Sequence, residues 1–263
     1  MPQSVRAVER ALAILLCFTR EEPTRSLTQI ADCVGMSKTT VHRLLTTLEN
    51  KRFINRDKST GLYRLGFRFI EMASFVLQDV ELHRWAHPYL QRLSQECGET
   101  VDLSILDGSH VMYLDVIEST QRVKLAAAIG QRLTAYNTAS GKAILAYMPE
   151  EPVRKILNEN LEEGTNHAQS SIPEMLANLK TTKERGYAIS EEEYEKDINA
   201  VAAPIFDADH YPIASIAIVG PSFRLTKDRL PILGDSICKM TQVISDEVGF
   251  TALSAIVNKT RSR

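Results

Sequence analysis

The chain has 263 residues, of which 44% are apolar and 24% charged, with a formal net charge of −2. This balance is typical of one or two globular domains and excludes a disordered or fibrous protein. The four cysteines are scattered, which excludes a disulfide framework, and no apolar run reaches the ~18 residues of a membrane span. We therefore expect a cytoplasmic protein that does not contact membranes.

The charge is distributed unevenly along the chain. Residues 1–70 carry 12 Lys and Arg against 6 Asp and Glu, a balance of +6, whereas residues 71–263 carry 19 against 27, a balance of −8. We call residues 1–70 the head and residues 71–263 the body. A basic segment of this kind in an otherwise acidic chain is one of the few features of a sequence that indicate a polyanionic partner. The N-terminal part is therefore the candidate for binding nucleic acid.

Three helices are predicted in the basic head. Apolar residues at spacings of three and four predict the first helix over residues 5–18. Ser26 opens a second, short helix with a capping-box pattern, and Gly35 ends it. Ser37 can cap a third helix that runs to about Glu49. Two helices joined by a short turn that contains glycine are typical of a helix-turn-helix.

The third helix has an apolar face centred between Val41 and Leu45, and its opposite face carries hydroxyl groups and positive charge. Arginine can bridge guanine N7 and O6, threonine can contact bases or phosphates, and a helix N-terminus favours an anionic oxygen. A solvated polar face is the alternative. We predict that this helix enters the major groove of duplex DNA through Ser37, Lys38, Thr39, Thr40, His42, Arg43, Thr46 and Thr47.

A hairpin is predicted directly after the third helix. The pattern changes there to period two, with strands over 53–56 and 62–66 around a loop that contains glycine. A hairpin in this place is a wing, and Arg56, Lys58 and Arg64 give it the charge to contact the sugar-phosphate backbone or the minor groove. An ordinary solvated turn is the alternative.

The order of the predicted strands and helices in the body indicates an α+β domain. A helix over 67–81 links it to the head, and a helix over 82–97 follows, with Pro88 as a kink or break. Strands and helices are segregated rather than alternated, which favours α+β over a doubly wound fold. The predicted strands cover 100–106, 110–117, 122–128, 199–206 and 212–220, and the predicted helices lie near 139–147, 152–158, 173–185 and 226–248.

Signals for catalysis or metal binding are weak. His83 and His87 stand one helical turn apart, but no third ligand has suggestive spacing nearby, so we predict structural histidines and no metal site. The run Glu191–Glu193 is predicted to be a solvated face. No nucleophile motif or P-loop is present, which predicts a protein that is not an enzyme and has no cofactor. A metabolite-processing enzyme and a winged-helix scaffold that binds protein stay open as alternatives.

Four segments in this order resemble the IclR family of bacterial transcriptional regulators, and the likeness runs from about Ser4 to Phe250. They are Ser26–Ala31 with Met36–Leu45, then Tyr63–Gly66, Thr138–Ala146 and Gly220–Thr226. The resemblance implies a winged helix-turn-helix domain (1–66), a linker helix (67–81) and a GAF-like α/β effector-binding domain (82–263). It also implies a regulator, expected to be a repressor, that binds a palindromic operator as a homodimer or homotetramer, since one recognition helix makes too few base contacts alone.

The resemblance also implies a site for a small carboxylate effector. In similar proteins, backbone amides at the start of the helix with the Gly-Lys motif receive the carboxylate, and here these belong to Ala139 and Ser140, next to Gly141. Apolar residues stand at three of the four positions that hold the rest of a glyoxylate-like ligand, so its polar atoms would lack partners. We expect a larger or less polar acid, aromatic or sugar-derived. The four positions are Ser190, Ala200, Ala217 and Val219.

Overall fold

The computed structural model describes residues 5–79, 81–162 and 171–261. The chain divides into two compact units, Met1–Asp79 and Val80–Arg263, and each packs around cores of its own. Position 80, in the predicted linker, lies outside the described residues. So does Ser4, where the resemblance to the family begins. Within the described ranges, no helix is both long enough and apolar enough to cross a membrane.

The first unit contains four helices and a small antiparallel sheet. The elements are α1 (Arg6–Leu16), β1 (Thr24–Arg25), α2 (Leu27–Val34), α3 (Lys38–Asn50), β2 (Ile54–Arg56), β3 (Tyr63–Leu65) and α4 (Arg68–Asp79). The strands are ordered β1-β3-β2, and β1 adds a short edge strand that was not predicted. Seven buried side chains form the core: Ile14, Ile30, Ala31, Val41, Leu45, Ile54 and Tyr63.

The turn between α2 and α3 follows from local chemistry. Ser26 Oγ accepts the Gln29 N–H and Gln29 Oε1 accepts the Ser26 N–H, which confirms the capping box. Gly35 ends α2 with a φ of 61°, in the left-handed region that glycine enters without a steric penalty. Three residues later α3 has begun, capped by Ser37. The predicted helix-turn-helix is confirmed.

The second unit is a six-stranded antiparallel sheet with helices on both faces. The elements are α5 (Glu81–Cys97), β4 (Thr100–Asp107), β5 (His110–Ile117), β6 (Arg132–Thr134), α6 (Ala139–Leu145), α7 (Glu150–Glu162), α8 (Ile172–Arg185), β7 (Ala188–Glu191), β8 (Ile198–Phe206), β9 (Pro212–Pro221) and α9 (Arg229–Arg261). The strand order is β6-β5-β4-β9-β8-β7. This arrangement confirms the α+β class.

Alternating side chains of the sheet serve two different cores. Val201 and Ala203 of β8 pack with α5 and α9 in the larger core. Ala200 and Ala202, on the other face of the same strand, pack against α6 in a cluster made almost entirely of alanine. The small side chains let α6 approach the sheet closely.

One predicted strand of the body is wrong. Residues 122–128 form no strand, since regular pairing with β5 begins only at Arg132, and before it the Gly130 N–H is bonded to the Tyr113 carbonyl oxygen, 2.8 Å away. Of the kink or break predicted at Pro88, the break does not occur, because α5 continues through the proline. Leu82, Ala86, Leu90 and Leu93 are buried on both sides of the proline and hold the helix against the core. Strand β7 was not predicted.

Candidate nucleic-acid interface and effector cavity

The polar face of α3 is exposed to solvent. Val41 and Leu45 are fully buried in the head core, so the opposite side of the helix points outward. Thr40 is half-buried, with its hydroxyl 2.9 Å from Ser37 Oγ, and Ser37 Oγ accepts the Thr40 N–H as the helix cap. The exposed residues of the predicted DNA-binding set on this helix are Ser37, Lys38, Thr39, His42, Arg43, Thr46 and Thr47.

The hydroxyl oxygens and the positive charges on this face of α3 remain available to a ligand. The Thr46 hydroxyl donates to the His42 carbonyl oxygen (2.9 Å) and the Thr47 hydroxyl to that of Arg43 (3.1 Å), so both oxygens keep lone pairs for a ligand. No ion pair to Lys38 or Arg43 is found among the described residues. Both side chains are exposed, so each can reach a ligand in solution.

The hairpin next to α3 presents three exposed cations. Arg56 and Arg64 lie on β2 and β3, and Lys58 lies in the loop between them. The Arg56 guanidinium stands over the Tyr63 ring, 5.4 Å from its centroid. In the same loop, Asp57 Oδ1 accepts three hydrogen bonds from the next turn, which lower the pKa of this carboxyl and fix the loop.

A cavity of about 110 Å³ lies in the second unit, between α6 and the sheet. Thr138, Ala139 and Ser140 contribute its wall at the start of α6. The irregular segment before β6, the strands and the segment after β7 supply the rest. These residues are Tyr113, Leu125, Ala126, Ala127, Gln131, Leu133, Ser190, Tyr194, Glu195, Ile198, Ala200 and Val219.

The first turn of α6 is held close to the chain that precedes it. Thr138 Oγ1 accepts the Gly141 N–H (3.1 Å), so that amide is already paired. A Cβ on Gly141 would lie 1.9 Å from the Ala135 carbonyl oxygen, so only glycine fits there. The amides of Ala139 and Ser140 belong to the first turn, where the helix itself offers no acceptor.

A buried carboxyl group lies beside this turn. Asp102 Oδ1 accepts hydrogen bonds from Ser104 Oγ (2.6 Å) and Ser140 Oγ (3.3 Å). Burial raises the pKa of Asp102 to about 7, although both hydrogen bonds oppose the shift. The charge of Asp102 thus changes near neutral pH, next to the start of α6.

An ion pair with a buried ammonium group and a partly exposed carboxylate joins α6 to the segment after β7. Lys142 is fully buried, and its Nζ donates to both carboxylate oxygens of Glu193 (2.6 and 2.7 Å) and to the Ile189 carbonyl oxygen (2.6 Å). Burial lowers the pKa of Lys142, and the charge of Glu193 opposes that shift. Tyr194 and Glu195, which follow directly, line the cavity, so the pair anchors part of its wall.

The prediction of a solvated face over Glu191–Glu193 is therefore wrong for its last residue. Glu192 has a φ of 54°, and this left-handed residue lies at the turn after which Glu193 meets α6. Glu191 stays on the surface, where it pairs with Lys227. A turn of this kind cannot be read from a run of identical acidic residues.

Comparison with known proteins decides the family. Residues 74–246 match the model described as bacterial transcriptional regulator IclR C-terminal, and residues 7–58 match the IclR helix-turn-helix domain. The chain belongs to the IclR family. The resemblance stated from the sequence is confirmed, and so is the expectation that the protein is not an enzyme, since the named relatives are transcriptional regulators.

Relatives of known name cover almost the whole chain. The HTH-type transcriptional regulator KipR of Bacillus subtilis (strain 168) is 32% identical over 252 residues, 95% of this chain and 100% of KipR. The transcriptional repressor IclR of Escherichia coli (strain K12) is 32% identical over 244 residues, 92% of this chain and 89% of that protein. The IclR-family assignment thus extends over both units.

Solved structures share the fold. The crystal structure of Thermotoga maritima IclR is 30% identical, with a TM-score of 0.75 over 92% of this chain and 98% of that one. An IclR homologue from Microbacterium hydrocarbonoxydans, crystallised in complex with 4-hydroxybenzoate, has a TM-score of 0.78 over 92% of this chain and 99% of its own, at 20% identity. The latter likeness establishes the fold alone.

The structure brings most of the predicted effector residues together and leaves two outside the cavity wall. Ala139, Ser140, Ser190, Ala200 and Val219 contribute to the wall. Ala217 instead packs in the alanine cluster beneath α6, and Gly141 serves the close contact with Ala135. Both still shape the site, since they determine how near α6 lies to the sheet.

Several cavity residues were missed by the sequence reasoning. Leu125, Ala126 and Ala127 lie in the segment that was predicted as a strand, and Tyr194 and Glu195 follow a strand that was not predicted. The Gly-Lys motif identified the helix at the cavity but not its partner, Glu193. A lysine in an otherwise apolar helix could have indicated this partner. A buried ammonium group needs a counter-charge, so a carboxylate from elsewhere in the chain can be expected beside it.

Proposed function

We propose that this IclR-family regulator is a repressor that binds a palindromic operator as a homodimer or homotetramer, with an affinity set by a small carboxylate effector in the cavity of the second unit. The observation that carries the DNA-binding part is the exposed face of α3, with Lys38 and Arg43 unpaired among the described residues and threonines beside them. The cavity next to α6 supports the effector part.

The contacts to DNA are assigned by side-chain chemistry. Lys38, together with the first amides of α3, suits a backbone phosphate, and Arg43 suits the N7 and O6 acceptors of a guanine. Thr39 and Thr46 suit base edges or thymine methyls. In the wing, Arg56, Lys58 and Arg64 are placed on phosphates or in the minor groove, where they add affinity without reading sequence. The remaining predicted residues, Ser37, Thr40, His42 and Thr47, flank the groove.

A second copy of the chain is the proposed partner of α1. Ile14 faces the head core, whereas Val8, Leu12 and Leu16 repeat at a spacing of four on the other side and are 54%, 53% and 79% exposed. An apolar stripe of this kind on a soluble domain indicates an interface. A two-fold axis at this stripe would pair two α3 helices for two half-sites, which is the geometry that a palindrome needs.

The effector is proposed to bind with its carboxylate at the amides of Ala139 and Ser140. Ser190 and Gln131 offer polar contacts, and the Glu195 carboxylate can accept a hydrogen bond from a hydroxyl group of the ligand. Ala200 and Val219 give the remaining wall an apolar surface. This lining favours a larger or less polar acid than glyoxylate, aromatic or sugar-derived. The homologue bound to 4-hydroxybenzoate supports an acid of this size.

DNA binding is tested by selecting fragments of the source genome on the purified full chain and sequencing those retained. We expect enrichment of one inverted repeat, with affinity that falls steeply as salt rises. A Lys38→Glu/Arg43→Glu variant, which leaves the head core unchanged, serves as the matched control and should retain no repeat. Retention without a shared sequence, equal in both proteins, contradicts the proposed operator recognition.

Effector binding is tested by thermal unfolding in the presence of a series of carboxylates. We expect an aromatic or sugar-derived acid to raise the melting temperature of the wild type and to change operator affinity. Ala200→Leu, which fills the cavity, should abolish the rise, whereas Ala208→Leu in an exposed loop should not. Stabilisation by glyoxylate but by no bulkier acid contradicts the proposal.

A further inference from the structure

Three potential metal ligands converge in the second unit, away from the cavity. His83 and His87 stand one turn apart on α5, and β5 brings Asp115 opposite them. The ligand atoms of the three residues all lie within 4.8 Å of one another. No third ligand lies near the two histidines in the sequence, because Asp115 is distant along the chain and only the fold brings it to them.

The distances within this cluster suit a shared cation. Asp115 Oδ2 lies 2.6 Å from His87 Nδ1 and 3.4 Å from His83 Nε2. Zinc binds nitrogen and oxygen at about 2.0–2.2 Å, so tetrahedral ligands stand roughly 3–3.5 Å apart. An ion entering the cluster would therefore widen the His87–Asp115 contact and bring the two histidine nitrogens, which lie within 4.8 Å of each other, to a similar spacing.

The donors and acceptors of the cluster are also compatible with a cation. A neutral imidazole offers one N–H and one lone pair, and a carboxylate offers only lone pairs. Both rings could donate an N–H to Asp115 Oδ2, although the contact with His83 is long, at 3.4 Å. A metal ion would instead accept an electron pair from each of the three groups at once.

The surroundings orient the ligands as they do in metal sites. Asp115 is almost fully buried, and its other oxygen, Oδ1, accepts the Val116 N–H at 2.9 Å, which directs Oδ2 at the histidines. Gln91 Nε2 lies 3.0 Å from His87 Nε2, and turning this amide by 180° would place its oxygen there to accept the N–H of a metal-bound ring. The side chains of His83 and His87 are 29% and 40% exposed, so an ion can enter from solvent.

We propose that His83, His87 and Asp115 bind a divalent transition-metal ion of the zinc class. Two imidazoles and one carboxylate suit Zn²⁺ and Co²⁺ and disfavour Mg²⁺ and Ca²⁺, which prefer oxygen ligands. Three protein ligands leave at least one coordination position for water. The ion would connect α5 to β5 and stabilise the second unit. This inference does not depend on the proposed operator or effector.

The test uses the full chain without an affinity tag, stripped of metal by a chelator and titrated with Co²⁺ and then Zn²⁺. We expect one Co²⁺ per chain, with the visible absorption of a four- or five-coordinate site, displaced by Zn²⁺. Zn²⁺ should also raise the melting temperature of the second unit. His83→Ala and Asp115→Asn should each weaken binding by about tenfold or more, since each removes one ligand.

Matched controls separate this site from other binders. His210→Asn removes a histidine from an exposed loop, and Cys33→Ser removes an exposed thiol, and both variants should bind Co²⁺ like the wild type. Circular dichroism and melting of the metal-free variants check that they fold. If His83→Ala does not fold, Asp115→Asn decides the question, since asparagine keeps the shape of the side chain. Absence of stoichiometric binding by the wild type, or equal binding by folded ligand variants, overturns the proposal.

Discussion

Lys142 and Glu193 form an ion pair that connects the helix on one side of the cavity to the segment on another. The ammonium group is fully buried and donates to both carboxylate oxygens, while the Glu193 side chain is one-third exposed. The pair therefore links the stability of the second unit to the shape of its cavity.

Removing only the carboxylate should be costly. Glu193→Gln leaves a buried cation without its counter-charge, so we expect the free energy of unfolding to fall by about 2–4 kcal/mol. The double variant Lys142→Met/Glu193→Gln should recover most of that loss. Urea unfolding monitored through Trp85, the single tryptophan, reports on the second unit.

The surface pair of Glu191 and Lys227 is the matched control. Lys227 is 80% exposed, so solvent screens this pair and Glu191→Gln should change stability far less than Glu193→Gln does. If Glu193→Gln has an effect as small as that of Glu191→Gln, the buried pair does not contribute as described.

The stability of the second unit should depend on pH through Asp102. Its folded pKa, about 7, lies above the ordinary 3.8, so the native state binds a proton that the unfolded state releases. This stabilisation is fully present below pH 3.8 and is lost as pH rises through 7. Between pH 5 and 7 the wild type should lose about 2 kcal/mol relative to Asp102→Asn, measured by urea unfolding at each pH.

An exposed aspartate provides the comparison for Asp102. Asp209→Asn alters a carboxyl group on a surface loop and should follow the wild-type pH profile. Parallel profiles for wild type and Asp102→Asn would mean that the buried carboxyl does not titrate in this range.

Arg43 and Lys58 should differ in what they contribute to DNA binding. Arg43→Ala removes a proposed base contact, so we expect a loss of ~1–3 kcal/mol on the operator and a relaxed preference at one position of each half-site. Lys58→Ala should weaken operator and random DNA about equally and reduce the salt dependence. Fluorescence anisotropy on both duplexes measures the two effects. Equal losses on operator and random DNA for Arg43→Ala argue against base readout.

The exposed stripe on α1 should determine the oligomeric state. Leu12→Glu places a charge in the proposed interface, so we expect a shift toward a smaller species by light scattering, with a loss of operator affinity. Val123→Glu changes an equally exposed apolar residue in the second unit and serves as control. An unchanged mass for Leu12→Glu places the interface elsewhere.

Local chemistry explains what the sequence could predict. The Ser26 capping box, the Gly35 turn and the spacing of Val41 and Leu45 each act within a few residues, so the helix-turn-helix could be predicted without the rest of the chain. The exposure of Arg43 then followed from helix geometry alone.

Long-range pairing explains what the sequence could not predict. Alternation around Val123 is typical of a strand, but the sequence does not tell whether a free sheet edge is available to pair with it. Glu193 becomes buried only after strand β7 pairs with β8 and the chain turns at Glu192. Likewise, Asp115 joins His83 and His87 only through the packing of α5 on the sheet.

The alanines around the cavity differ in how much change they can accept. Ala139 and Ala200 belong to the cluster that holds α6 close to the sheet, so a larger side chain at either position would press on the helix. Ala126 is exposed on the irregular segment before β6, so a longer side chain there could narrow the chamber without entering that cluster. The volume of the cavity could thus be altered from its exposed wall while the packing beneath α6 is kept.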